Sequence, residues 1–382
     1  MEPVGAEGAG ASAEPVHHSP PPARRLHWID TVRVVLTVLV VAHHCAVTYG
    51  NIPIWFHHEP PTDTSGAVLD LFVVVNQSYF MGLFFLISGY FVPGAVDRKG
   101  PRAFALDRLV RLGIPLLAFT FLLRPIAGFW SWHVSDDKQP YALHYLATID
   151  PGPTWFLEVL LVFCLVYAGW RAIRPPQTER TDAETPLGWG RAAYTLCGLI
   201  AICAVAMALW RQIVPDGTHW PVVGLPTPAF LPQYVLMFAA GVLAARRRWL
   251  ERMPGTLAVP GGVLAVLVLV LLLPAATSPD HVVASIASGI AMAVTGVGFS
   301  LVVLTVVRRF APGTGRIRRF LSANAFAVYV IHPVVLVGAA LALSGLAAPA
   351  LAKFTLLLLV SLPACWALAA LLRKIRSVRD IM

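Results

Sequence analysis

Residues 30–50 read DTVRVVLTVLVVAHHCAVTYG, a run long and apolar enough to cross a bilayer, with Arg33 near its start and His44 deep inside it. The ten residues between them are apolar except for Thr37 and His43. Eleven positions make almost three turns of helix. Arg33 and His44 therefore share one face, with His44 about 16 Å further along, while His43 is rotated by about 100°. Ionisable groups at membrane depth are costly, so a span that keeps both calls for a functional reason.

The rest of the chain has the same character. Of 382 residues, 57% are hydrophobic and only 13% charged, and the mean hydropathy is +0.70. Apolar runs of membrane-spanning length fall near 31–49, 66–92, 112–129, 154–170, 192–210, 231–245, 257–274, 283–307, 320–343 and 351–372, which predicts an all-α polytopic membrane protein of about ten transmembrane helices. Basic residues sort by loop. Arg24 and Arg25 precede the first span, and Arg98, Lys99, Arg102, Arg108 and Arg111 follow the second. Three later groups lie in the other even-numbered connections: Arg171, Arg174, Arg180 and Arg191, then Arg246, Arg247, Arg248 and Arg252, then Arg308, Arg309, Arg316, Arg318 and Arg319. Arg373, Lys374, Arg376 and Arg379 come after the tenth span, while the odd connections hold little beyond Lys138, Arg211 and Lys353. The positive-inside rule then puts both termini in the cytoplasm. It also explains the net charge of +9 through anionic headgroups, so no nucleic acid partner is expected.

Residues 1–25, rich in Ala, Gly, Pro and Glu, read as a disordered cytoplasmic tail, 26–376 as one membrane domain, and 377–382 as a short cytoplasmic tail. The stretch 175–188 is the most linker-like internal segment. The five cysteines all fall in spans and form neither a disulfide framework nor a metal pattern, and no metal is expected. The outer connections after spans 1 and 3 carry Trp55, His57, His58, Trp130, Trp132, His133, Tyr141, His144 and Tyr145. Such aromatics suit either a lipid interface or a sugar-stacking surface.

Depth groups residues that are distant in sequence. His44 lies about 20 Å above the inner start of span 1 and His332 about 18 Å above Phe320 in span 9. Asn76 in span 2 and Glu158 in span 4 fall at a comparable outer level, and lipid satisfies none of these groups. Nearer the inner face, Arg108 and Arg111 are three apart on one helix face, at the level of Arg33. Guanidinium forks there suit phosphate oxygens. Arg33, Arg108 and Arg111 are thus candidate donor-binding residues, His44 the candidate catalytic residue, and Glu158, His332 and Asn76 candidate orienting groups.

Five pieces in order carry a family resemblance: Arg33-X10-His44, GLFFLISGYF (82–91), Arg108-Leu-Val-Arg111, PTWFLEVLL (153–161) and SANAFAVYVIHP (322–333). On about ten spans they resemble the integral-membrane acyltransferase family, the acyltransferase-three family, which includes glucans biosynthesis protein C and bacterial surface-sugar O-acyltransferases. The resemblance covers most of 26–372. It implies transfer of an acyl group, commonly acetyl, from cytosolic acyl-CoA to a hydroxyl of a carbohydrate or related acceptor at the outer face of a bacterial inner membrane. Acyl-CoA is then a substrate, and no permanently bound cofactor is implied. His44 matches the histidine essential to transfer, and Arg33, Arg108 and Arg111 match the arginines that handle the donor. One position departs: the common pattern has an acid five residues after the span-4 Trp, whereas Glu158 follows Trp155 by three.

The chemistry fits without the family. Imidazole can take the proton of an attacking hydroxyl near neutral pH and return it to a departing thiolate, or it can carry the acyl group itself, and the sequence leaves both routes open. Intramembrane His, Glu and Arg also serve proton- or ion-coupled transporters, the alternative class, although no paired internal repeat is visible here.

Overall fold

The computed structural model describes residues 26–174, 185–220, 224–311, 313 and 315–382. The expected tail at 1–25 and most of the linker-like stretch 175–188 lie outside them. Among the described residues, ten helices are long and apolar enough to cross a membrane. They are α1 (His27–Tyr49), α2 (Gly66–Lys99), α3 (Pro101–His133), α4 (Tyr141–Ile173), α5 (Trp189–Arg211), α6 (Pro228–Arg247), α7 (Gly255–Ala276), α8 (His281–Phe310), α9 (Arg316–Leu343) and α10 (Ala350–Leu372). Each contains one of the expected apolar runs. Every backbone polar group within a lipid-facing segment must be satisfied internally, and the helix does this wherever the chain crosses.

The ends are set locally. At the foot of α1, Gly50 turns extended (φ −82°, ψ −173°) while its N–H still bonds the Ala46 carbonyl. Asp280 caps α8, its carboxylate accepting from the Val282 and Val283 N–H groups. The 34 residues of α2 reach about 51 Å, well beyond a hydrocarbon core of roughly 30 Å, so Asp97, Arg98 and Lys99 project past the apolar layer. α3 contains two π-helical turns, Leu109–Gly113 and Phe119–Leu123, and the first holds Arg111. α4 is interrupted at 148–151 before its apolar stretch begins at Trp155.

α1 is central, packing against α2, α8, α9 and α10, while α5 and α7 are peripheral and present exposed apolar faces suited to lipid. Lipid removes the hydrophobic drive between helices, so association depends on close van der Waals packing. Gly89 and Gly241 supply it where α2 crosses α6. A Cβ on Gly241 would lie 2.0 Å from the Leu86 carbonyl oxygen, and one on Gly89 2.2 Å from the Phe238 carbonyl oxygen. The small residues of LISGY therefore divide their work: Gly89 permits this crossing, and Ser88 lines a cavity beside it.

One expectation is corrected. Trp130, Trp132, His133, Tyr141, His144 and Tyr145 are not loop residues. The first three end α3 and the others belong to the first short helix of α4, because the end of an apolar run does not mark where a helix stops outside the lipid. The residues expected as a short C-terminal tail include most of a further helix, α11 (Arg376–Ile381), and Met382 packs against buried residues of the bundle.

Candidate functional site

A cavity of about 970 Å³ opens on the face that holds Leu26 and the ends of α2 and α6. That volume is at the upper end of the roughly 300–1,000 Å³ usual for ligand pockets. Its walls carry six arginines, Arg33, Arg98, Arg108, Arg111, Arg246 and Arg248. The three expected from sequence are thus brought together, with three more that had been legible only as loop charges. Acidic residues hold this layer in shape. Asp107 takes Arg111 Nε at 3.0 Å, Lys99 at 2.9 Å and Arg108 at 3.4 Å. Asp97 bridges Arg171 at 3.1 Å and Arg246 at 2.8 Å, tying α2, α4 and α6 at the mouth. Arg108 also lies over the Phe104 ring, 5.1 Å from its centroid, and its Nε is buried without a hydrogen-bond partner among the described residues. Guanidinium forks are suited to paired phosphate oxygens.

The cavity lining reaches as far as Thr37, Phe156, Leu157 and Tyr329. Thr37 is seven residues short of His44, about 10 Å along α1. Above that ceiling sits the histidine pair. The His44 and His332 rings stack with centroids 5.2 Å apart and planes at 22°, which joins α1 to α9 at the depth the two residue counts implied. The Trp55 indole stacks on His44 at 3.9 Å and 18°.

His332 is fully buried, and its orientation follows from the residue after it. Pro333 has no N–H, so the Tyr329 carbonyl loses the bond that the fourth residue on would give it in an unbroken helix. His332 Nδ1 fills that vacancy at 2.7 Å. A carbonyl only accepts, so Nδ1 carries the proton and Nε2 keeps its lone pair. That Nε2, like His44 Nδ1, is buried with no hydrogen-bond partner among the described residues. Tyr329 itself links the two layers. It lines the cavity, its ring is 6.1 Å from that of His332, and its hydroxyl donates to the Pro153 carbonyl.

The other expected orienting residues are not joined to this pair. Asn76 Nδ2 faces the Leu39 carbonyl and His43 Nδ1, each at 3.4 Å, and His43 stacks on Phe80 at 5.1 Å. The one-residue rotation that separates His43 from His44 sends Asn76 to the former. Glu158 is partly buried and makes no hydrogen bond or ion pair among the described residues. Sequence reasoning missed Tyr329 and the stacking of Trp55 on His44. The Tyr-X-X-His-Pro spacing was a signal for the first, and no local pattern announces the second.

A family-wide profile described as an acyltransferase domain matches residues 26–370. Among curated proteins, the glucans biosynthesis protein C of Salmonella agona (strain SL483) and that of Salmonella paratyphi A (strain ATCC 9150 / SARB42) are each 25% identical over 227 residues. The aligned region is 56% of this chain and spans 58% of the length of those relatives. No solved structure matches.

Proposed function

The chain belongs to the acyltransferase domain family, and from that premise we propose that it moves an acyl group, acetyl in the simplest case, from acyl-CoA in the cytosol to a carbohydrate hydroxyl at the opposite face of a bacterial plasma membrane. The observation that carries this reading is the arginine-lined cavity ending beneath the His44–His332 pair. Nucleotide phosphates fit the Arg33, Arg108 and Arg111 layer, and the pantetheine arm spans the apolar ceiling towards His44. Concentration of Lys and Arg on the cavity's face supports its cytoplasmic orientation. The names and bacterial sources of the relatives support a glucan-like acceptor. Family membership favours group transfer over the proton-coupled transport that the same residue types could serve.

In the reaction, His44 takes the proton of the acceptor hydroxyl as its oxygen attacks the thioester carbonyl. The tetrahedral intermediate expels CoA thiolate, and the imidazolium returns the proton to sulfur. Stacking against His332 and Trp55 holds the His44 ring in place. The alternative route, an acyl-imidazole formed on His44 and then attacked by the hydroxyl, uses the same geometry. Neither route takes a step through Glu158 or Asn76, and a supporting part for them belongs to the packing around the pair.

Purified protein incubated with labelled acetyl-CoA and a glucan oligosaccharide tests the reading. Label in the saccharide as an alkali-labile ester supports it; CoA never released with any hydroxyl acceptor defeats it. Arg108→Ala and Arg111→Ala are each expected to weaken acetyl-CoA binding roughly tenfold, the scale of one charge-assisted hydrogen bond. Lysine at either position should rescue only in part, since an ammonium lacks the two-pronged fork. Calorimetric affinities unchanged in both alanine variants would move the donor site elsewhere.

A further inference from the structure

The loop that joins α1 to α2 doubles back over the His44 end of α1 and is tied down on several sides. Asn51 is held to Asp70, backbone N–H to Oδ1 at 2.8 Å and Nδ2 to Oδ2 at 2.6 Å. The Glu59 N–H donates to the Thr48 carbonyl at 2.9 Å, and His58 Nε2 bonds the Gly50 carbonyl at 2.8 Å. Glu59 pairs with Lys353, whose side chain is largely buried, which fastens the loop to α10. Phe56 lies under the Arg124 guanidinium at 5.4 Å, and Arg124 is in turn held by Asp150 at 2.7 Å. Burial lowers the pKa of His57 against the opposing pull of Glu59, so that imidazole is uncharged at neutral pH.

Between these ties the loop presents Trp55. Its indole covers a face of His44 at 3.9 Å and runs nearly parallel to His332, 6.1 Å away at 11°. Its Nε1 is buried with no hydrogen-bond partner among the described residues. A buried indole N–H normally finds an acceptor, so this donor is one that an incoming hydroxyl-bearing molecule could satisfy.

Resting on the acyltransferase reading above, we infer that Trp55 decides the fate of the acyl group: its indole shields His44 from water until a carbohydrate acceptor displaces it, so transfer is favoured over hydrolysis. The competing reaction is simple. Water attacks the thioester carbonyl carbon, a C–O bond forms and the C–S bond breaks. The water's proton passes through His44 to the departing thiolate, giving the free carboxylic acid and CoA thiol. Any enzyme that activates a hydroxyl beside a thioester faces this side reaction, and excluding water is the general remedy. A flat aromatic suits the role, because a sugar ring can slide across it and gain C–H contacts as it replaces imidazole.

Labelled acetyl-CoA supplied to the full-length protein in nanodiscs, with and without a glucan oligosaccharide, measures free acetate and acetylated saccharide separately. Trp55→Ala is expected to raise acceptor-independent acetate release by about tenfold or more and to lower the ratio of transfer to hydrolysis. Trp55→Phe, which keeps a ring over the imidazole, should restore most of that ratio. Lys353→Met, which unties Glu59 without touching His44, should shift it in the same direction as Trp55→Ala, by less. In the double variant His44→Ala/Trp55→Ala the extra acetate should vanish. Acetate release that is unchanged in Trp55→Ala, or that falls in step with transfer, while acetyl-CoA still binds by calorimetry, overturns the inference and leaves the acyltransferase reading standing. A wild-type protein that transfers no acetyl group to any hydroxyl defeats both.

Discussion

Replacing His44 by alanine should lower acyl transfer by on the order of 10²- to 10⁴-fold, the usual contribution of a positioned acid–base group, while acyl-CoA binding persists. The two effects separate because the cavity that holds the arginines ends near Thr37, and His44 lies above its ceiling. His43→Ala is the paired control. Its ring packs on Phe80, meets Asn76 and touches the His44 ring edge-on at 5.4 Å, so the substitution removes packing around His44 while leaving the His44–His332 contact itself in place. Transfer rates measured at saturating acetyl-CoA distinguish the two. Near-normal turnover in His44→Ala, or an equal loss in His43→Ala with the fold intact, would remove His44 from the chemistry.

The second large effect is expected at His332. His332→Ala deletes the ring that stacks on His44, and the loss should appear in kcat with little change in the donor's KM. Its scale should be about 10- to 100-fold, by analogy with the cost of removing the partners that orient metal-bound histidines. Pro333→Ala gives an independent check, because it touches neither substrate. It returns an N–H to the helix ladder, which competes with His332 Nδ1 for the Tyr329 carbonyl and loosens the ring. A lowered kcat in Pro333→Ala, with an unchanged thermal midpoint, is the expected outcome. Full activity in both variants would make His332 a packing residue only.

Much of this arrangement could be read from residue order alone. Hydropathy located all ten spans, since lipid leaves the backbone no alternative to the helix. Eleven-residue spacing put Arg33 and His44 on one face, and counting the rise per residue brought His332 to the same depth. Other features depend on rotation and on chain segments outside the lipid, which neither hydropathy nor depth constrains. Asn76 is at the right level but turned towards His43. Arg98, Arg246 and Arg248 looked like ordinary loop charges until the convergence of α2 and α6 brought them into one cavity wall. Trp55 belongs to a loop whose course is set by the Asn51–Asp70 and Glu59–Lys353 ties, and no periodicity encodes those. The short α11 brings Ile381 and Met382 to the cavity lining by the same kind of tertiary packing.

In the proposed reaction, donor and acceptor meet from opposite sides, the arginine layer serving the one and the deeper histidine pair the other. Charged CoA does not cross the apolar core, and the pantetheine arm alone has to reach His44. Reconstitution in vesicles of known orientation tests this most directly, with labelled acetyl-CoA confined to the arginine face and a membrane-impermeant glucan oligosaccharide to the other. Acetylated saccharide recovered from the far compartment, and lost when acetyl-CoA is supplied only there, is the expected result. Acetylation that requires both substrates on the arginine face would contradict the through-membrane geometry.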